Sequence, residues 1–257
     1  MQSEQLKRMA SMSGDSGLGK PPKYVVPLIR FNGNRGEYRK ISYDADGNKV
    51  ETPLTNPVQF VILKKRRLLS HYSPNGSYFT NEYDSPNQQV SLFKNVAGTV
   101  THEATGIATD LREQFQQLRT HEVIYLLHEG QVCKMEVKGG SLGNYYDYQK
   151  SLQDEDLHGF QVLTSVSSES AKSEGGMSYY KITFQKLVLT TSLDEVEAHM
   201  TEVSSNLKKL DDYFAAKSRS NSPANVAHLD KVMDDMTAPT EKTIQLDEEP
   251  NPDDIPF

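Results

Sequence analysis

Four cations in a row, Lys64-Lys65-Arg66-Arg67, lie inside a β-rich stretch that runs from Pro57 to Leu69. On a strand, successive side chains point to opposite faces, so Lys64 and Arg66 share one face and Lys65 and Arg67 the other. Such a strand does not fit an ordinary core, because burying a charge without a partner is prohibitive. The expectation is a hairpin that leaves the body near Lys64 and projects as an arm. The plainer alternative is a solvated edge strand, where charge discourages unwanted pairing.

The surrounding pattern is mostly short strands. Tyr24 to Phe31 and Tyr38 to Tyr43 are β-rich, and Asp44-Ala45-Asp46-Gly47-Asn48 is a turn signal. Ser73-Pro74-Asn75-Gly76 is a strong turn, from which Ser77 to Tyr83 returns. Val90 to Phe93 is short and apolar. Val123 to His128 and Val132 to Lys138 read as a hairpin around Glu129-Gly130. Phe160 to Val166 and Tyr179 to Leu189 are two further strands. Helices are expected over Thr105 to Arg119 and, shorter, over Leu142 to Leu152.

The clearest helix follows. Ser192 and Glu195 have capping-box spacing. Leu193, Val196, Met200, Val203, Leu207, Leu210 and Phe214 then recur at steps of three and four. The stripe suits packing on the helix's own domain; self-association into a homo-oligomer is the alternative. After Ala216, Ser, Asn, Pro, Asp and Glu dominate, which reads as a disordered linker.

Together these elements predict a mainly β (α+β) fold, an OB-like small β-barrel with a projecting hairpin arm and added helices. The expected divisions are a flexible N-terminus over 1–21, the OB-like domain over 22–191, the amphipathic helix over 192–216 and the acidic tail over 217–257.

Charge is divided unevenly along the chain. The net charge is −7, and all of it resides in the segment from Ser220 to Phe257. Met1 to Tyr72 is basic, with 13 cations against six acids. A basic front with an acidic tail points to a polyanion-binding body and a separate interaction segment. The single cysteine, Cys133, excludes an intramolecular disulfide and a cysteine-based zinc site. Its histidines are scattered singly, so no cofactor or metal is expected. No apolar run approaches the ~20 residues of a membrane helix, and no secretory pattern opens the chain, so a cytoplasmic protein is expected.

Binding a single strand without sequence preference needs cations that track phosphates and flat rings that stack bases. The N-terminal third interleaves both. The candidate DNA-binding residues are Arg30, Phe31, Arg35, Tyr38, Arg39, Lys40, Lys64, Lys65, Arg66, Arg67, Tyr72, Tyr78 and Phe79. Tyr145, Tyr146 and Tyr148 form a second, weaker cluster. Because the chain has no tryptophan, its nine Phe and 13 Tyr must also fill the core.

The last residues, Asp253-Asp254-Ile255-Pro256-Phe257, follow Asp247, Glu248 and Glu249. Phe257 combines a ring with a carboxylate, which fits an apolar pocket with a basic rim. Ile255 adds an apolar contact, and Pro256 narrows the free-peptide ensemble. This segment resembles the C-terminal tip of single-stranded DNA-binding proteins of bacteria and bacteriophages. The resemblance covers the tip and the layout, not the body sequence, and the tryptophans usual in that family are absent. It implies an OB domain that coats and protects single-stranded DNA, and a tip that recruits replication, recombination and repair proteins. It also implies the cytoplasm of a bacterial or phage-infected cell.

Two enzyme-like features carry less. Gly14-Asp15-Ser16-Gly17-Leu18-Gly19-Lys20 looks like a P-loop, but Pro21 stands where Mg²⁺ binding needs Ser or Thr. Glu82 and Asp84 share one possible strand face, which suggests a metal-dependent nuclease only if a third acid joins them. The expectation is therefore a non-enzymatic protein. Besides a nuclease, the remaining alternative is a replisome adaptor that uses the same tip without binding DNA.

Overall fold

A computed structural model describes residues 25–44, 47–173, 175–189 and 192–219. The N-terminus expected to be flexible, the acidic segment from residue 220 and the tip Asp253 to Phe257 lie outside the described residues. Within them the chain is mainly β, a large mixed sheet with a few helices.

In chain order the strands are β1 (Leu28–Asn32), β2 (Glu37–Tyr43), β3 (Lys49–Leu54), β4 (Val58–Ser73), β5 (Gly76–Thr80), β6 (Gln89–Val96), β7 (Thr99–Ile107), β8 (Arg119–His128), β9 (Gln131–Val137), β10 (Val162–Lys172) and β11 (Ser178–Leu189). The helices are α1 (Ala108–Gln114), α2 (Ser141–Asp154) and α3 (Leu193–Arg219). Across the sheet the order is β3-β2-β1-β9-β8-β4-β5-β6-β7, with β10 beside the first residues of β4 and β11 beside β10. The β1–β9 pair is parallel.

Local chemistry accounts for several of these elements. Glu129 and Gly130 both have positive φ, the geometry that joins β8 to β9 in a tight hairpin. β3 carries Pro53 and, among the described residues, has no strand on its outer side, where a missing N–H costs no ladder bond. The helix expected over Thr105 to Arg119 is present but shortened at both ends. β7 pairs with β6 as far as Ile107, α1 keeps only Ala108–Gln114, and β8 begins at Arg119. Long-range pairing overrides local periodicity there.

The two faces of β4 and β8 bury different cores. Phe60, Ile62, Ile124 and Leu126 face a core with Ile29, Tyr38 and Met135, closed by Tyr145, Tyr148 and Leu152 of α2. Val61, Leu63, Val123 and Tyr125 face the other way and meet Val196, Val203, Leu207 and Leu210 of α3. The apolar stripe of α3 from Val196 onward is thus packed on its own domain, while Leu193 at its start is 51% exposed. A bulge at Leu63, between Ile62 and Lys64, shifts the alternation before the cationic run begins.

The sheet is not closed into a barrel among the described residues. Its two wings approach where Tyr180 N–H donates to Gly33 C=O at 2.6 Å and Tyr38 O–H to Ser167 C=O at 3.0 Å. Further along β11, the first turn of α2 takes the place of a neighbouring strand. Ile182 N–H donates to Ser141 Oγ at 2.9 Å, and Asn144 Nδ2 donates to Ile182 C=O at 2.8 Å. Side chains satisfy backbone groups that a closing strand would otherwise pair.

The projecting arm expected at Lys64 is not found there. β4 stays paired with β8 up to Ser70, and β5 joins only from Ser70 onward. The extension β5–β6–β7 is also packed on both faces. Leu69, Tyr83, Leu92, Leu111 and Leu118 fill one side, and Phe93, Val100, Tyr213 and Phe214 the other.

Candidate nucleic-acid interface

The cationic run sits mid-sheet, and its alternation is as expected: Lys64 and Arg66 lie opposite Tyr125 and Val123, on the face packed by α3, and Lys65 and Arg67 lie opposite Ile124 and Glu122. What sequence could not supply was the partners. Arg66 has a side chain only 1% exposed. It donates to Asp211 of α3 at 2.9 Å and to Glu82 C=O at 3.0 Å, with Asp84 at 3.4 Å. It is a buried structural cation and is corrected out of the DNA-contacting set. Lys64 lies 3.8 Å from Asp84. Lys65 Nζ donates to Gln149 Oε1 at 2.7 Å, and Arg67 Nε to Glu122 Oε1 at 2.7 Å.

Three aromatic candidates lie in or against the core. Tyr38 is buried, and Phe31 packs against it with ring centroids 4.9 Å apart. Phe79 stacks on Phe93 beneath Phe214. Tyr38 is thus unavailable to bases, while Phe31 and Phe79 are only partly buried against the core. Tyr78 is half-buried with Lys94 5.4 Å above its ring. Tyr72 is 44% exposed, and Lys138 stands 5.5 Å from its ring centroid.

On the N-terminal hairpin, Arg30 and Arg39 are direct cross-strand partners and therefore share a face. Arg39 is held by Glu51 at 3.3 Å and Glu37 at 3.6 Å. Arg30 is exposed and makes no ion pair among the described residues. Lys40 points to the opposite face and donates to Gln131 at 3.2 Å. Arg35 is exposed in the tight turn between β1 and β2.

Register brings part of this set together. Leu28 lies opposite Lys134, so Arg30 shares the outer face with Lys134, Glu136 and Lys138 of β9 and its end. Tyr72 reaches the same place from the end of β4. α3 covers β4 and β8 on this face, while the surface over β9, β1 and β2 carries Arg30, Arg39, Lys134, Lys138 and Tyr72. Lys134 and Lys138 were not singled out from sequence; the alternation of β9 was their only signal.

This strip has acids beneath it. Lys134 Nζ donates to Glu82 at 3.3 Å, and Tyr125 O–H donates to the other Glu82 oxygen at 2.8 Å. Burial alone would lower the Lys134 pKa, but Glu82 and Glu136 outweigh it and raise the value, so the ammonium stays charged. Burial would raise the Glu136 carboxyl; the nearby His121 imidazole with Lys134 and Lys138 brings it down to about 2. His121 lies 3.9 Å from Glu136 and 3.1 Å from Ser70 Oγ, all but buried under the strip. Glu82 and Asp84, the acids that raised the nuclease alternative, are thus both engaged with protein cations.

No family model, no curated protein and no solved structure matches this chain.

Proposed function

We propose that the protein binds single-stranded DNA without sequence preference along the outer face of β9, β1 and β2. The observation that carries this reading is a topological one. In chain order, β4, β8 and β9 form a meander, α2 follows, and β10 and β11 form a hairpin with β10 beside β4. That connectivity supports an OB-type core, open because β1 takes the edge of β9 and α2 takes that of β11. OB folds bind oligonucleotides across the face of their second and third strands. Those strands are β8 and β9, and the uncovered part of that face is where Arg30, Lys134, Lys138 and Tyr72 meet.

The chemistry fits the ligand. Lys and Arg at the rim of a sheet neutralise phosphates, and an exposed tyrosine ring stacks any base. The tip Asp253 to Phe257 supports the second half of the reading, a docking peptide for other DNA-processing proteins. Fluorescence anisotropy of the full chain with labelled oligo-dT tests the first half. Salt-sensitive binding is expected; absence of binding at low salt would favour the adaptor alternative instead.

A further inference from the structure

The opposite face of the sheet carries a second cluster of cations and rings that outer-face binding leaves unused. On that face β4 and β8 pass between two helices. α2 packs beside them through Tyr145, Tyr148 and Leu152, and α1 through Leu111. Between the helices Arg67 is 38% exposed and Tyr146 is 44% exposed.

One buried carboxylate holds both. Glu122 lies directly opposite Arg67 and its side chain is only 5% exposed. Its Oε1 accepts from Arg67 Nε at 2.7 Å and from Tyr146 O–H at 3.0 Å. Because the guanidinium is held through Nε, its two terminal nitrogens have no hydrogen-bond partner among the described residues. Lys65 stands on the same face, its ammonium anchored to Gln149 at 2.7 Å. Tyr145 O–H and Gln149 Nε2, from the same side of α2, are buried without a hydrogen-bond partner among the described residues. Two cations, Lys65 and Arg67, therefore flank one carboxylate beside a tyrosine ring that is fixed at its hydroxyl. That is a preorganised surface for phosphates and a stacked base, since little entropy remains to be lost on binding.

The two clusters lie at the same end of the β8–β9 hairpin. Glu122 pairs with Arg67 on one side and with Val137 on the other, and Lys138 follows Val137. The lateral separation is two strand spacings, about 10 Å.

We propose that DNA held on the outer face continues around this end of the sheet, where Tyr146 stacks a base and Lys65 and Arg67 hold its phosphates. This rests on the reading of the protein as a single-stranded DNA binder. The test is a length series of labelled oligo-dT titrated with the full chain and with Tyr146→Ala, which leaves the Arg67–Glu122 pair in place. The variant is expected to bind the shortest bound oligonucleotide as the wild type does, and long ones at least about 5-fold more weakly. Tyr146→Phe, which keeps the ring but loses the hydroxyl that fixes it, is expected to lose less on long oligonucleotides than Tyr146→Ala. Equal affinity of Tyr146→Ala and the wild type at every length overturns the inference while leaving DNA binding intact. A Tyr146→Phe loss as large as that of Tyr146→Ala overturns the stacking role. A wild-type protein that binds no oligo-dT overturns both this inference and the function on which it rests.

Discussion

Arg66 of β4 donates to Asp211 of α3 at 2.9 Å, across 145 residues of sequence, and fastens the long helix to the sheet. The pair explains how a run of four cations fits into a strand that is paired on both edges. Breaking it leaves a nearly buried guanidinium with the Glu82 C=O at 3.0 Å and Asp84, 3.4 Å away, as its remaining carboxylate. Asp211→Ala is expected to destabilise the protein by on the order of 2–4 kcal/mol in urea unfolding. Arg66→Met combined with Asp211→Leu should recover most of that loss, because a buried ion pair is often replaceable by apolar packing. A double variant as unstable as Asp211→Ala would contradict the assignment.

Glu136 makes stability depend on pH at the acid end. Its folded-state pKa of about 2 lies below the ordinary 4.5, so the ionised form favours the folded state. That contribution is complete above about pH 4.5 and is lost as pH falls toward 2. The stability difference between wild type and Glu136→Gln, from thermal melts between pH 6 and pH 2, is expected to shrink across that window. A difference that stays constant over the window would show that Glu136 is not held as described.

Ser141 substitutes for a strand neighbour by accepting from Ile182 N–H at 2.9 Å. Ser141→Ala leaves a buried amide unsatisfied, at an expected cost of about 1–3 kcal/mol. Amide hydrogen exchange is the direct readout. Protection at Ile182 should fall while that of β8 residues changes only by the loss in global stability. Full protection at Ile182 in the variant would mean that another acceptor serves it.

What was legible in the sequence was local. The Glu129-Gly130 turn, the helix at Leu142 to Leu152 and the stripe from Leu193 to Phe214 each announce themselves through neighbours in the chain, and each is present. β3 was overlooked because Pro53 reads against a strand unless the strand is known to be an edge. The end of β7, Thr105 to Ile107, reads as helix because Ile107 and Leu111 are spaced like a helical face. The candidate site was legible only as residue types. Whether a cation contacts solvent or an acid depends on residues far away, as Asp211 shows for Arg66 and Glu122 for Arg67. Tyr38 lies in the core, with Phe31 and Phe79 packed against its clusters, because a chain without tryptophan fills its interior with the rings it has.

The tip gives a separate expectation. Deleting Ile255 to Phe257 removes the apolar part of the proposed docking peptide and should leave affinity for oligo-dT equal or higher. Association with a DNA-processing partner should be lost. Weaker oligo-dT binding after this deletion would place the tip in the DNA interface instead.

The central claim is that phosphates lie along the outer face beside Arg30 and Lys138. Its most direct test is the salt dependence of oligo-dT affinity for the wild type and for Arg30→Ala/Lys138→Ala, measured on the full chain. The variant should bind more weakly, and its plot of log affinity against log salt should flatten by roughly 0.7 for each phosphate contact removed. An affinity and a slope identical to those of the wild type would contradict the account.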